Sequence, residues 1–381
     1  MIHIFHNILW SKYKGGVFSA MQVIVEKTNF EVIFTQIAET ESDRVGLSEI
    51  DLSYHQYPYK LLFKGSYDNI PKHLLVKSLF MEVWNSPANL VLLPGYHTVE
   101  YWIMLLAAKL DKKKVGVFCD STAFDRPNIK VKAILKRLFF SQCDVFFGYG
   151  QRSKEYLIFH GAAENAIYFR CQAAALPHNY NSDKVFAQRT SLNIYDTLRY
   201  LYVGRLAPEK NIDDLLRAFT CVSNMTPEAR LRIVGTGPAM AHLVHLVYQL
   251  NLNNFVEFVG SKSTEELKEE YLNACCLVLP SSSEPWGLVV NEALSYGCPV
   301  VVSHRCGCVP ELVQDGRTGF VFECGNINDL AEKLVAIPTV FADISETANC
   351  CINHISTFNP EAAAKQILDG CCITLGKQYV K

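Results

Sequence analysis

Glu284 and Glu292 stand with seven residues between them in the stretch Ser281–Glu292, which reads SSSEPWGLVVNE. Pro285 and Gly287 mark a turn, and Leu288–Ser295 has the composition of a helix, so Glu284 is expected at the helix mouth and Glu292 inside the helix. The apolar run Cys275–Pro280 before them reads as a buried strand. A strand, a turn and a helix N-terminus offer free amides and a positive dipole end to a phosphate. Each carboxylate can accept hydrogen bonds from a vicinal diol. Eight residues of helix rise about 12 Å, the scale of the distance from a ribose to a sugar joined through a diphosphate. The plainer alternative is an N-cap carboxylate followed by a surface carboxylate.

Three further turns carry residues suited to the same ligand. Tyr202-Val-Gly-Arg-Leu-Ala-Pro-Glu-Lys210 runs from a strand into a turn flanked by Arg205 and Lys210, a rigid fork and a flexible ammonium that suit a diphosphate. Val234-Gly-Thr-Gly-Pro238 is a second strand running into a glycine turn. Lys14-Gly15-Gly16-Val17 falls between the first strand and the first helix, where two glycines would let backbone amides approach a phosphate, or simply close a tight turn.

The elements that must position these residues alternate between strand and helix almost throughout, the pattern of parallel βαβ units. Strands are expected at 2–6, 31–37, 89–93, 115–119, 144–149 and 166–170 in the first half. In the second half they fall at 199–203, 230–234, 255–259, 276–280, 299–303 and 320–322. Ser42–Gly65 is rich in aromatics without a firm period and reads as an irregular insertion or an acceptor-side loop. The expected architecture is α/β, with two Rossmann-like doubly wound domains facing a central cleft. Residues 1–178 form the first, 179–197 a polar linker, 198–357 the second, and 358–381 a C-terminal helix. Ligands of such sheets sit beyond the carboxyl ends of the strands.

The chain has 381 residues, 49% hydrophobic and 19% charged, enough for two ordinary cores. A net charge of −2 does not suggest a nucleic-acid binder. The charge is uneven: residues 1–180 carry 20 Lys/Arg against 16 Asp/Glu, and two basic groups stand out there, Lys109 with Lys112–Lys114, and Lys130, Lys132, Lys136 with Arg137. They read either as a face for an anionic membrane or acceptor, or as ordinary solvated surface. The 14 cysteines include three adjacent pairs and no C-x-x-C, which argues against structural zinc or a secreted disulfide framework. No signal peptide or membrane span is evident. A cytoplasmic location, with possible peripheral membrane contact, is expected.

The stretch Glu284-Pro-Trp-Gly-Leu-Val-Val-Asn-Glu292 resembles the E-x7-E motif of the retaining nucleotide-sugar glycosyltransferases of family 4. The likeness runs on through Gly297-Cys-Pro-Val-Val-Val302, Gly307-Cys-Val-Pro-Glu311 and Asp315-Gly-Arg-Thr-Gly319. It implies the GT-B architecture, with the last helix crossing back to the first domain. It also implies that Arg205 and Lys210 grip the donor diphosphate, with Gly15 and Gly16 at the phosphates. Glu284 would meet the transferred sugar, the amides of Leu288 and Val289 the β-phosphate, and Glu292 the ribose diol, with Trp286 and Gly287 also among the donor-binding residues. Gly260-Ser-Lys262 would lie against the nucleobase. No metal or cofactor is implied, the donor being a substrate such as a UDP- or GDP-sugar. Many members carry a histidine at the end of the strand that here reads Val115-Gly-Val-Phe-Cys119; this chain continues with Asp120 and Asp125 instead, and His97 is another acceptor-side candidate.

The function expected is retaining transfer of a sugar to a hydroxyl of a glycan or lipid-linked acceptor, in surface polysaccharide or glycoconjugate synthesis. Two readings compete with it: a nucleotide-sugar epimerase of the same fold, and an inactive GT-B partner subunit. On the transferase reading, Arg205→Ala and Lys210→Ala each nearly abolish turnover.

Overall fold

A computed structural model describes residues 1–28, 30–42, 49–125 and 130–377, without the side chain of Lys130. The chain divides into two compact units, Met1–Ala175 with Phe358–Lys381, and Leu176–Thr357.

The first unit runs β1 (Ile2–Ile8), α1 (Lys12–Val25), β2 (Val32–Ala38), β3 (Tyr59–Leu61), α2 (Lys72–Trp84), β4 (Leu90–Leu93), α3 (Val99–Leu110), β5 (Lys114–Cys119), α4 (Lys130–Phe140), β6 (Val145–Gly148), α5 (Gln151–Phe159) and β7 (Ile167–Tyr168). The strands form one parallel sheet in the order β3-β2-β1-β4-β5-β6-β7. Ile4 of β1 lies between Phe34 of β2 and Leu92 of β4. Helices cover both faces, which is why β4 and β6 are apolar at every position. The stretch read as an irregular insertion adds the edge strand β3 to this sheet; its residues 43–48 lie outside the described residues.

In the second unit come α6 (Ser182–Thr190), β8 (Arg199–Val203), α7 (Ile212–Met225), β9 (Arg230–Val234), α8 (Met240–Gln249), β10 (Val256–Gly260), α9 (Thr264–Asn273), β11 (Cys276–Leu279), α10 (Leu288–Ser295), β12 (Val300–Ser303), α11 (Val309–Leu312), β13 (Gly319–Phe322), α12 (Ile327–Val340) and α13 (Ile344–Ile355). Its sheet is also parallel, in the order β10-β9-β8-β11-β12-β13. The segment read as a polar linker is part of this unit and contains α6. Arg189 of that helix is buried, and its Nη1 donates to the Tyr271 and Leu272 carbonyls at 3.0 and 2.6 Å. A helix anchored by a buried guanidinium leaves no apolar period to read in the sequence.

The chain ends on α14 (Pro360–Thr374), whose Ala363, Ala364, Ile367, Leu368 and Cys371 join the first unit's core beside Val17, Phe18 and Met21 of α1. Gly370 permits this docking: a Cβ there would stand 2.7 Å from the Tyr168 ring and 2.8 Å from that of Phe147. Among the described residues no helix is long and apolar enough to cross a membrane.

In each sheet the strand order reverses direction around its first strand, between β1 and β4 and between β8 and β11. Such reversal points are the usual ligand positions in an open parallel sheet.

Candidate active site

At the β8/β11 crevice two loops are tied together. The Ser282 amide and hydroxyl donate to the Glu209 carbonyl at 2.9 and 3.1 Å, fixing the loop after β11 against the turn after β8. That tie brings Lys210 Nζ to 2.5 Å from Glu284 Oε2, with both side chains under one-fifth exposed. Arg205 reaches Glu209 at 2.6 Å and is more open, at 36%. Tyr202 holds this turn from below by donating to the Arg205 carbonyl at 3.0 Å.

Glu284 precedes α10, as its sequence position suggests. The N-cap is Gly287 at φ +102°, and no side chain caps the helix. A Cβ at Gly287 would stand 2.9 Å from Leu279, so the residue must be glycine both for its backbone angle and for space. The first turn bond is Val290 N–H to the Gly287 carbonyl at 2.9 Å. Leu288 and Val289, the first residues of the helix, have no intrahelical acceptor for their amides. Glu292 lies one helical turn further, half-buried, where Tyr271 donates to its Oε2 at 2.7 Å. Tyr271 is itself fully buried and stacks on Tyr296, so one carboxylate oxygen of Glu292 is fixed by the core. At the β10 end, Gly260 has φ +72° and Lys262 pairs with Glu266 at 3.1 Å.

Trp286 does not open onto this site. It is 3% exposed and its Nε1 donates to Asn291 Oδ1 at 2.8 Å. The indole anchors the turn from the core side, so the side chain of Trp286 is not placed to bind the donor as expected. Its backbone is positioned by Gly307, whose amide donates to the Glu284 carbonyl at 2.9 Å, while the Cys308 amide donates to the Trp286 carbonyl at 3.1 Å. A Cβ on Gly307 would lie 1.7 Å from the Pro285 carbonyl oxygen, which only backbone movement relieves. Gly307→Ala is expected to cost about 3 kcal/mol, read as a lower urea midpoint at an unchanged slope; an unchanged midpoint would show the turn to be plastic.

The β1/β4 crevice of the first unit holds a pocket of about 190 Å³. His6 and Asn7 of β1, His97 after β4, Asp120 after β5, and Tyr13 and Lys14 of α1 line it. His97 and Asp120 thus share one pocket. Asp125 does not line it: its Oδ2 accepts from the Thr122 amide at 3.0 Å and the Thr122 hydroxyl at 2.8 Å, closing its own turn.

Gly15 and Gly16 are not in a loop. The helix begins at Lys12, and the Gly15 amide already donates to the Ser11 carbonyl at 3.0 Å. Gly15 instead makes room for His55, whose ring would lie 2.8 Å from a Cβ. The group that reaches the pocket from this segment is Lys14. It is 3% exposed, and among the described residues its Nζ has no hydrogen-bond partner. The ammonium lies 4.8 Å from the ring centroids of both Phe118 and Tyr149. Burial lowers its pKa to about 8, against smaller opposing effects of Cys171 and Asp120. His6 stands beside it with Nδ1 at 3.0 Å from the Ile8 carbonyl and 3.2 Å from Gln36 Oε1, so Nδ1 carries the proton. Burial, with Lys14 adding to it, holds the His6 pKa down to about 3. Lys14 is the residue that motif reading passed over. Its only sequence signal is its place directly before the glycine pair.

The family model described as "Glycosyl transferases group 1" matches residues 185–337. A sulfoquinovosyl transferase of Arabidopsis thaliana is 37% identical over 137 residues, 35% of this chain and 25% of that protein. D-inositol 3-phosphate glycosyltransferase 2 of Catenulispora acidiphila is 33% identical over 186 residues, 46% of this chain and 43% of that protein. The chain thus spans less than half the length of these curated relatives. Among solved structures, the lipopolysaccharide outer core galactosyltransferase WaaB in its apo form aligns with a TM-score of 0.71 at 16% identity, over 97% of this chain and 98% of that one. Anabaena HepE in complex with UDP-glucose aligns with a TM-score of 0.68 at 16% identity, over 97% and 98%. The fold is GT-B, two Rossmann-like units, and the second unit carries the group 1 glycosyl transferase match that contains Arg205, Lys210, Glu284 and Glu292.

Proposed function

We propose that this protein is a glycosyltransferase that moves a sugar from a nucleotide-diphosphate sugar to a hydroxyl of a glycan or lipid-linked acceptor, with retention at the anomeric carbon. The observation that carries the reading is Lys210 held on Glu284 beside the uncapped start of α10. The site pairs a cation and open amides for a diphosphate with two carboxylates for hydroxyls. The relatives named as glycosyltransferases, and the likeness to HepE with UDP-glucose, support the same donor class.

On this reading the diphosphate lies across Lys210, Arg205 and the Leu288 and Val289 amides. Glu284 receives hydroxyls of the transferred sugar on the oxygen that Lys210 leaves open. Glu292, oriented by Tyr271, receives the ribose diol, and the nucleobase lies along Gly260–Lys262. The bond from the anomeric carbon to the β-phosphate oxygen breaks as the acceptor oxygen enters on the same face. The acceptor proton passes to the departing phosphate. Catalysis resides in stabilising the charge on that phosphate by groups already in place. Because the protein supplies these positive groups itself, turnover is expected to survive EDTA.

The acceptor half is assigned to the pocket of the first unit. Asp120 accepts from the incoming hydroxyl, His97 flanks it, and the Lys14 ammonium donates to an acceptor oxygen. The protein is placed in a reducing compartment, serving polysaccharide or glycoconjugate synthesis at a membrane surface.

The test is a thermal-shift screen against UDP, GDP and ADP and their sugars, followed by NMR of the product formed with the stabilising donor. A ligand at 100 times its dissociation constant adds about 2.7 kcal/mol. Stabilisation by none of the nucleotides would sink the donor assignment. An inverted anomeric centre would sink retention, and an altered sugar formed without acceptor would identify an epimerase.

A further inference from the structure

The two basic groups of the first unit meet different fates in the fold. The first is largely consumed by its own scaffold. Lys113 is buried and donates to the Val83 carbonyl at 2.7 Å, Lys109 pairs with Asp144 at 3.0 Å, and Lys114 donates to the Thr374 carbonyl at 2.6 Å. The second group lies on α4, and α4 is inside out for a surface helix. Its inner side is anchored by Phe139 and Phe140, both buried. Its outer side is also apolar: Val131, Ile134, Leu135 and Leu138 are 67%, 65%, 50% and 52% exposed.

At about 100° per residue these four fall within an arc of about 100° on the helix. Lys132 and Arg137, both exposed, lie one on each side of that arc, each about 60° from its nearer edge. Arg137 also stacks at 6.0 Å over Phe159, which is 55% exposed and carries the apolar surface onto the end of α5. A solvated helix would place polar groups on this arc, and a contiguous exposed apolar surface marks a docking site.

We infer that α4 docks the first unit onto a bilayer containing anionic lipid, with the four aliphatic side chains entering the headgroup boundary and Lys132 and Arg137 meeting lipid phosphates. Charge complementarity selects this occupant. A second copy of the chain would set the same cations against one another, whereas an anionic bilayer offers hydrocarbon to the arc and negative charge to both its borders. Docking does not depend on the donor or acceptor chemistry. It deepens the proposed membrane-surface location by naming the face and the lipid class.

The experiment is flotation of the full chain with vesicles of phosphatidylcholine alone and of phosphatidylcholine mixed with phosphatidylglycerol. Wild type is expected to float with the mixed vesicles, more weakly as salt is raised, and to stay in solution with the neutral ones. The double variants Ile134→Ser/Leu138→Ser and Lys132→Gln/Arg137→Gln are each expected to lower partitioning by about tenfold or more. The altered positions are exposed, so the thermal midpoint and its shift with UDP, measured on the same samples, should be unchanged. A UDP shift without flotation would overturn the docking inference alone; flotation without a UDP shift would strike only at the donor assignment. Equal flotation of wild type and both variants would also overturn docking. So would a wild-type dimer that ignores vesicles and dissociates in the Ile134→Ser/Leu138→Ser variant, which would assign the surface to a second copy.

Discussion

Lys210→Ala is expected to lower turnover by about a thousandfold while leaving the fold intact. Lys210 Nζ lies 2.5 Å from Glu284, both side chains are largely screened from water, and Ser282 ties their two loops together through Glu209. A cation so placed needs no reorganisation when charge develops on a departing phosphate, and preorganised groups of this kind account for the largest single losses on mutation. The substitution also leaves Glu284 without its partner, so an unneutralised carboxylate would then face the diphosphate. Arg205→Ala should cost less than Lys210→Ala. Arg205 is more exposed and is engaged by Glu209, a pairing it must loosen to reach a ligand. Lys210→Arg should not restore wild-type turnover, because a planar fork cannot occupy the place of a point charge at this distance. Steady-state turnover of the three variants, with donor affinity measured separately, decides the order. A Lys210→Ala enzyme within tenfold of wild type would remove Lys210 from the phosphate site, and an Arg205→Ala enzyme more impaired than Lys210→Ala would reverse the assignment of the principal cation.

That ranking needed the structure, although the residues themselves were legible in the sequence. Strand and helix periodicity is local, so the alternation that builds both parallel sheets can be read directly, and the start of α10 is marked by Pro285 and Gly287. Long-range placement is not local. Trp286 sits in a turn whose neighbours suggest a ligand, yet a hydrogen bond to Asn291 draws its indole into the core. Gly15 and Gly16 have the composition of a phosphate loop, but α1 starts before them and His55, forty residues away, uses the space that Gly15 provides. Lys109, Lys113 and Lys114 look like a basic face until their partners on other elements are known. Gly307 stands in a run that resembles the family, yet its local sequence does not say why glycine is needed, because the reason is a carbonyl 22 residues upstream. Trp286 finds its partner within the next turn of chain; in the other cases the deciding partner is distant in sequence, and nothing in a local window encodes it.

Lys14→Met is expected to make the protein more stable and a worse enzyme. The Lys14 ammonium is buried and has no hydrogen-bond partner among the described residues, and burial lowers its pKa to about 8 from an ordinary 10.5. That difference corresponds to about 3 kcal/mol of destabilisation while the group is charged in both states. The Phe118 and Tyr149 rings return about 1 kcal/mol of it through cation–π attraction, so the net gain from methionine is about 2 kcal/mol, a rise of several degrees in thermal midpoint. The sign follows from proton linkage. Below pH 8 folded and unfolded chains both hold the proton, and the whole penalty is present. As pH rises from about 8 towards 10.5 the folded chain releases its proton first, the wild type regains stability, and the gap to the variant closes. Thermal midpoints of both proteins on the two sides of pH 8 test this; a variant less stable than wild type at neutral pH would show that the ammonium has a protein partner after all. The functional half is read separately. A charged hydrogen bond to an acceptor oxygen contributes about 1.5–3 kcal/mol, so kcat/KM for the acceptor should fall by about ten- to a hundredfold while the donor KM holds. A buried cation that costs the resting fold more than its ring contacts return is accounted for by a ligand that completes it, and an unchanged acceptor kcat/KM in the methionine variant would break that link.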